Sequence, residues 1–343
     1  MPDPREVLES RLRFQATGCA ELGSPFYAAL LESAADDLKS EGPVWELLAE
    51  FAAEPEWSAL ALRMMAAIHR LVLQDRLPFL TSHYPSVGGD GDASMAWPLF
   101  QDALIEHLAE IRRLIGRGCQ TNEVGRSAAL LGGFLEVAHR TRLPLCILEI
   151  GASAGLNLRW DRYRYESGET GWGDEHSPVR FVHFFDVPPP LDRTAEVVER
   201  KGCDLAPIDP TSEDGALSLR SFIWADQLGR LSRLDGAIEV AKQMPVNVDQ
   251  VDAALFLERE LEAPRPDMAT VVYHSVFLQY PTDEIRTRIA AVIGAAVSRA
   301  TWDAPVFHLR MEPDNAGRFE IRLGDELLGT SMAHGTRVRW LAS

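Results

Sequence analysis

The stretch Leu148-Glu-Ile-Gly-Ala-Ser-Ala-Gly-Leu-Asn-Leu158 carries the densest chemical signal in the chain, and it reads in more than one way. As an acid followed by Gly-x-small-x-Gly it is a nucleotide-binding turn. Gly151 allows a sharp bend at a strand end, Ser153 is small enough for close approach of a ligand, and Gly155 lets a helix start against the sheet. The helix N-terminus then offers unpaired N–H groups to a polar ligand. As Gly151-x-Ser153-x-Gly155 the same stretch is a nucleophile elbow, with Ser153 exposed for acyl transfer. Asp249 and either His274 or His334 then complete the order Ser, Asp, His. A hydrolase of that kind places several strands before its elbow, whereas residues 1–142 here read as helix. A third reading is a tight structural turn that binds nothing.

Acids follow at later strand ends. Gly202-Cys-Asp-Leu-Ala-Pro207 ends a strand with Asp204 and then turns, as a ribose-binding carboxylate does. Asp249 ends the next strand. Carboxyl ends of adjacent parallel strands converge on one crevice. Glu149, Asp204 and Asp249 there suit a ligand with a ribose, an adenine amine and a positive centre, and suit a pyrophosphate poorly.

Other residues carry a bland reading beside the functional one. In Gln120-Thr-Asn-Glu-Val-Gly-Arg126, the side chains of Asn122, Glu123 and Arg126 either reach over the crevice or cap the next helix and pair locally. Asn157 and Asp161 share a helix face; Asn157 is close enough to the turn to touch ligand, and Asp161 is a structural partner for an arginine. His274 ends the fourth strand, where an imidazole takes a proton from an attacking group or simply terminates the strand. His308, Arg310 and Glu312 alternate and so share one strand face, as an ion network or a substrate clamp. His334-Gly335 is a turn or a second pocket histidine. No HExxH-type pair occurs, so no metal is expected. Trp45, Trp57 and Trp97 are expected in helical core or at a domain interface.

Two grammars frame these residues. Apolar stripes at three-to-four spacing run through 26–38, 44–51, 60–72 and 100–115, with a glycine-rich loop at 84–92 and a last helix from 122 to 140. From 145 onward short apolar runs alternate with helical segments. Strands are expected at 145–150, 197–204, 246–249, 270–275 and 305–311, separated by helices at 155–163, 212–243, 250–262 and 283–300. Strands at 319–323 and 336–341, with no helix between them, are expected to pair as an antiparallel hairpin. The pattern predicts an all-α domain over 1–142 and an α/β domain over 143–343, with a mostly parallel, doubly wound sheet and an insertion at 164–195.

Composition sets the partners. The 343 residues are 46% hydrophobic and 25% charged, ordinary for a chain that buries a core, and their net charge of −17 repels phosphate backbones and anionic lipid. Neither nucleic acid nor a membrane is an expected partner; a small molecule is. Four cysteines, at 19, 119, 146 and 203, form no metal or disulfide spacing. With no signal-like N-terminus, a cytoplasmic location is expected.

The constellation resembles the class I S-adenosylmethionine-dependent methyltransferases over residues 145–343, with Glu149–Gly155 similar to their first motif and Gly202–Pro207 to their second. Ser153 stands where a glycine is commoner, and Asp204 lies 49 residues past Gly155, a gap that the 164–195 insertion accounts for. The resemblance implies a Rossmann-like fold and S-adenosylmethionine as cofactor, with Asp204 on its ribose, Asp249 on its adenine and His274 as acceptor base. Over its whole length the chain also resembles a bacterial family known as domain of unknown function 2332. That likeness lies in Gln120–Arg126, Glu149–Leu158, Gly202–Pro207, Trp224-Ala-Asp-Gln227 and His334-Gly335. Three functions stay open: a methyltransferase on a small acceptor under a helical cap, a serine hydrolase at Ser153, and a non-catalytic nucleotide-binding module.

Overall fold

A computed structural model describes residues 3–40, 42–55, 58–119, 121–314 and 317–342, which leaves Trp57 and Gln120 outside. It has an all-helical N-terminal region and a large, mostly parallel sheet. The chain divides into two compact units, 1–121 with 213–232, and 122–212 with 233–343. The boundary expected at 142 is therefore displaced, and each unit recruits sequence from the other side of it.

The helical unit contains α1 (Pro4–Glu21), α2 (Pro25–Lys39), α3 (Pro43–Leu48), α4 (Leu60–Leu73), α5 (Pro78–Thr81), α6 (Ala93–Glu106) and α7 (Leu108–Ile115). Helix α4 is buried nearly all round, including Arg63, His69 and Arg70, as befits the central helix of a bundle. Trp45 and Trp97 pack, partly buried, against the same core. The segment 213–232 joins this unit because Trp224 and Ala225 enter its core. Asp226 also accepts hydrogen bonds from the Ser24 hydroxyl and the Phe26 N–H, capping α2 from a distant part of the chain. That tie breaks the long helix expected over 212–243 into α9 (Glu213–Ser221) and α10 (Leu228–Gln243).

In the sheet unit, α8 (Arg126–Thr141) leads into β1 (Leu145–Ile150). The expected insertion folds as β2 (Arg164–Ser167), β3 (Thr170–Trp172) and β4 (Arg180–Val182) in a small sheet, then β5 (Phe185–Val187). There follow β6 (Val197–Asp204), β7 (Val248–Gln250), α11 (Ala253–Glu260), β8 (Ala269–Ser275), α12 (Asp283–Ser298) and β9 (Val306–Pro313). The chain ends with β10 (Phe319–Leu323), β11 (Glu326–Ser331) and β12 (Val338–Trp340). The large sheet runs β5-β12-β11-β10-β9-β8-β1-β6-β7, parallel from β9 through β7.

All six residues of β1 are buried, because helices cover both faces of the parallel strands. One face packs Cys146, Leu148, Ile150 and Val272 against α11 and α12. The other lies under α8, where Gly133 lets the helix approach so closely that a Cβ would stand 2.3 Å from Leu309 Cδ1. Phe134 meets the Tyr273 ring edge-on at 5.0 Å on that face.

Two further expectations are corrected. The strands at 319–323 and 338–340 do not pair, because β11 lies between them and joins β10 through a two-residue Gly324-Asp325 turn. The segment after Gly155 is a 3-10 helix, Leu156–Arg162, with a non-helical Arg159, rather than an α-helix. No helix among the described residues is long and apolar enough to cross a membrane.

Candidate functional site

Strand order reverses at β1: the chain builds outward through β6 and β7, then returns to add β8 and β9 on the other side. Ligands of open α/β sheets bind outside the carboxyl ends of strands at such a reversal. Here the place is occupied by the glycine turn after β1 and by the segment after β8.

The turn is held from several sides. Gly151, Ser153 and Gly155 have φ of 68°, 52° and 65°, a left-handed region that Ser153 occupies without glycine's freedom. The Ser153 N–H donates to Asp204 Oδ2 at 2.9 Å, and the Ala206 N–H donates to Asp204 Oδ1 at 2.9 Å. Asp204 is only half-buried, so its carboxylate ties the turn to the end of β6 while facing solvent. The expected unpaired helix N-terminus is corrected: the Leu156 N–H donates to Asn122 Oδ1 at 2.9 Å. Arg159, buried, donates to the Gly155 carbonyl at 2.7 Å and the Met244 carbonyl at 2.8 Å, which bends the segment out of α-helical geometry.

Asn122, Glu123, Asn157 and Ser127 form a buried network. Ser127 donates to Asn157 Oδ1 at 2.7 Å, Asn157 donates to the Glu123 carbonyl at 3.3 Å, and the Gly125 N–H donates to Glu123 Oε1 at 2.9 Å. These hydrogen bonds tie the side chains to the backbone of the turn and of the segment leading into α8. Arg126 donates to the carbonyls of Ser275 and Ala333 at 3.2 and 3.3 Å, so it joins the β8 end to the turn that carries His334. Asp161 pairs with Arg200 at 2.6 and 3.1 Å, the structural role expected of it.

Glu149 is 3% exposed and accepts from the Tyr273 hydroxyl at 3.1 Å. Burial, with the Asp204 charge adding to it, pushes its carboxyl up to about 8 against the opposing pull of Tyr273, Arg159 and Arg126. It is consequently a largely protonated group at neutral pH.

Asp249 does not join this set. In the β6–β7 register it stands opposite Cys203, whose side chain belongs to the α11 face, while Asp204 is one residue further and points the other way. Asp249 is bound by Arg259 of α11 and by Asn247. The pleat thus separates two acids that the sequence placed at one edge.

His274 is fully buried, with both ring nitrogens committed: Nδ1 lies 2.7 Å from Glu312 Oε1 and Nε2 lies 3.0 Å from His308 Nε2. An imidazole so enclosed contacts no acceptor, which corrects its expected role as a base. The face shared by His308 and Glu312 is real, and it serves His274. Burial, with the neighbouring His274 and Arg310, holds the His308 ring down to about 3.

Sequence reasoning missed Phe277. Its ring lies against Gly151, where a Cβ would come within 2.3 Å of Phe277 Cδ2, and its N–H donates to Glu312 Oε1 at 2.8 Å. An isolated aromatic after a strand gives no sequence signal. Tyr273, which meets Glu149 in register across β1 and β8, was missed as well, because register is set by strand pairing and not by local sequence.

Comparison with known proteins gives one match. No curated protein and no solved structure matches this chain. A family described as an uncharacterized protein conserved in bacteria matches residues 9–340, nearly the whole length. The protein therefore belongs to that bacterial family, DUF2332.

Proposed function

We propose that the sheet unit is Rossmann-like, binds S-adenosylmethionine at the β1–β8 strand ends, and methylates a small-molecule acceptor. The observation that supports this reading most is the reversal of strand order at a glycine turn whose backbone is tethered to a half-exposed acid, Asp204. The donor set fits an adenosyl group. Each Asp204 oxygen spends one hydrogen bond on backbone and each accepts two, so capacity remains for vicinal ribose hydroxyls. Gly151 carries no side chain, and the Phe277 ring fills the space a Cβ would take, partly buried against the core on the α11 side, as an apolar wall at the turn. Asp249, bound to Arg259, takes no part.

The bound cofactor supplies an electrophilic methyl carbon on a sulfonium. Asp204 orients the ribose, and Glu149, largely protonated, adds no second full charge beside it. The remaining work is alignment of donor with acceptor and exclusion of water, which needs no dedicated base when the acceptor is already nucleophilic. The net charge of −17 favours a small acceptor over a polyanion.

Thermal shift with S-adenosylmethionine, S-adenosylhomocysteine and NAD tests the reading. Stabilisation by both sulfur ligands and not by NAD, lost in Asp204→Ala, is expected; no shift with either at millimolar concentration ends it. Binding without turnover on any acceptor tried would support a non-catalytic module instead. Ser153 matches a nucleophile elbow in its left-handed backbone alone, since the residue is buried where an exposed one was expected; labelling of Ser153 by a fluorophosphonate would establish this second reading, a serine hydrolase.

A further inference from the structure

We propose that Glu312 and His274 form a latch that seats the Phe277 ring on Gly151, and that this ring determines which ligand the glycine turn admits. The latch is read from geometry alone; the ligand, an adenosyl group, rests on the proposed function.

One carboxylate oxygen does two tasks. Glu312 Oε1, on β9, faces His274 Nδ1 at 2.7 Å and accepts the Phe277 N–H at 2.8 Å. His274 is held in turn by His308 at 3.0 Å, and its ring lies 5.7 Å from that of Phe277. A carboxylate only accepts, so His274 Nδ1–H donates to it, and one proton lies between the two Nε2 atoms. Each member then has one orientation, which makes the chain a rigid support.

The segment it supports is strained. Val276, between His274 and Phe277, has φ of 52°, and no other β-branched residue among the described residues has positive φ. Such a conformation persists only where surroundings over-determine it, and it gathers at ligand clamps. Here the Val276 N–H donates to the Met311 carbonyl at 2.9 Å, and Arg126 donates to the Ser275 carbonyl at 3.2 Å. Ser153 has the same φ of 52° on the facing turn. Two left-handed non-glycine residues thus flank the point where ring meets glycine, and Phe277 as a whole is only partly buried.

The test uses the full chain. NMR amide exchange at Phe277 and S-adenosylhomocysteine affinity are measured in wild type, Glu312→Ala, Glu312→Gln and Phe277→Leu. In Glu312→Ala, Phe277 exchange rises at least ~10-fold while β1 protection holds, and the dissociation constant rises at least ~10-fold. Glu312→Gln, which keeps an acceptor oxygen, restores most of both. Phe277→Leu weakens binding without faster exchange at 277, which serves even if Glu312→Ala fails to fold. Unchanged exchange in a folded Glu312→Ala overturns the latch, and unchanged affinity in Phe277→Leu overturns the role of the ring. A wild type that binds no sulfur ligand overturns the adenosyl assignment, and with it the proposed function, while exchange still decides the latch.

Discussion

Among the described residues each unit buries one histidine completely, and the two are held in opposite ways. In the helical unit His69 Nδ1 lies 3.1 Å from the Ser221 carbonyl and Nε2 lies 2.8 Å from the Ser86 hydroxyl. Both partners are neutral, so burial dominates and pushes the ring down to about 4. In the sheet unit His274 lies between a carboxylate and a second imidazole, at the end of a strand where the chain is strained. Burial alone therefore does not mark a working residue. The chemistry of the partners does, along with what those partners hold in place: His69 joins packed helices, whereas His274 and Glu312 set one aromatic ring.

The largest effect should come from Gly151→Ala, which puts a Cβ into the Phe277 ring and forces a side chain into positive φ. A loss of about 2–5 kcal/mol in urea unfolding is expected, with no sulfur-ligand shift in the folded remainder. A neutral result would mean that the ring is not fixed on the turn.

His69→Leu leaves the buried Ser221 carbonyl without its donor and removes the partner of the half-buried Ser86 hydroxyl, and should cost about 1–3 kcal/mol. Ligand affinity should not change. Since the folded ring titrates below its usual 6.5, its contribution is complete above that pH and is lost as pH falls toward 4. The variant should lack that acid-side loss in a pH series of melting temperatures.

His274→Gln keeps one hydrogen-bonding partner and should cost less, about 1–2 kcal/mol, yet weaken sulfur-ligand binding roughly tenfold by calorimetry. The reverse ranking of the two histidine variants on affinity would break the comparison.

Glu149 supplies the opposite pH signature. Its folded carboxyl is raised from 4.5 to about 8, so the fold binds the proton more tightly than the unfolded chain does. That contribution is full below pH 4.5 and is lost as pH rises through 8. Melting temperatures of Glu149→Gln should gain on wild type between pH 6 and 9; parallel curves would mean that the carboxyl is not so enclosed. Smallest of all, Asp249→Asn should change stability by less than about 0.5 kcal/mol and leave ligand binding alone, because a part-exposed pair with Arg259 is all it loses. A large loss of affinity would restore it to the site.

Several of these features were open to reading from the chain alone. The apolar run 145–150, the glycine turn and the acid at 204 are local patterns, and the alternation of 308, 310 and 312 correctly put His308 and Glu312 on one face. The Gly324-Asp325 pair was also a local hairpin signal, and overlooking it produced the wrong strand pairing at the C-terminus. The break at Trp224–Asp226 was beyond reach, since its cause is a carboxylate serving the start of α2 some 200 residues earlier.

From sequence by itself came the identity of most elements and the place of the turn, because hydrophobic period and turn residues act over a few neighbours. Tertiary structure alone decided which side chains meet. Strand register and pleat sent Asp249 toward α11 and Asp204 toward the turn, and the β8–β9 pairing brought Glu312 to a histidine 38 residues away. Those outcomes depend on contacts between distant segments, and no local pattern encodes the distance between them.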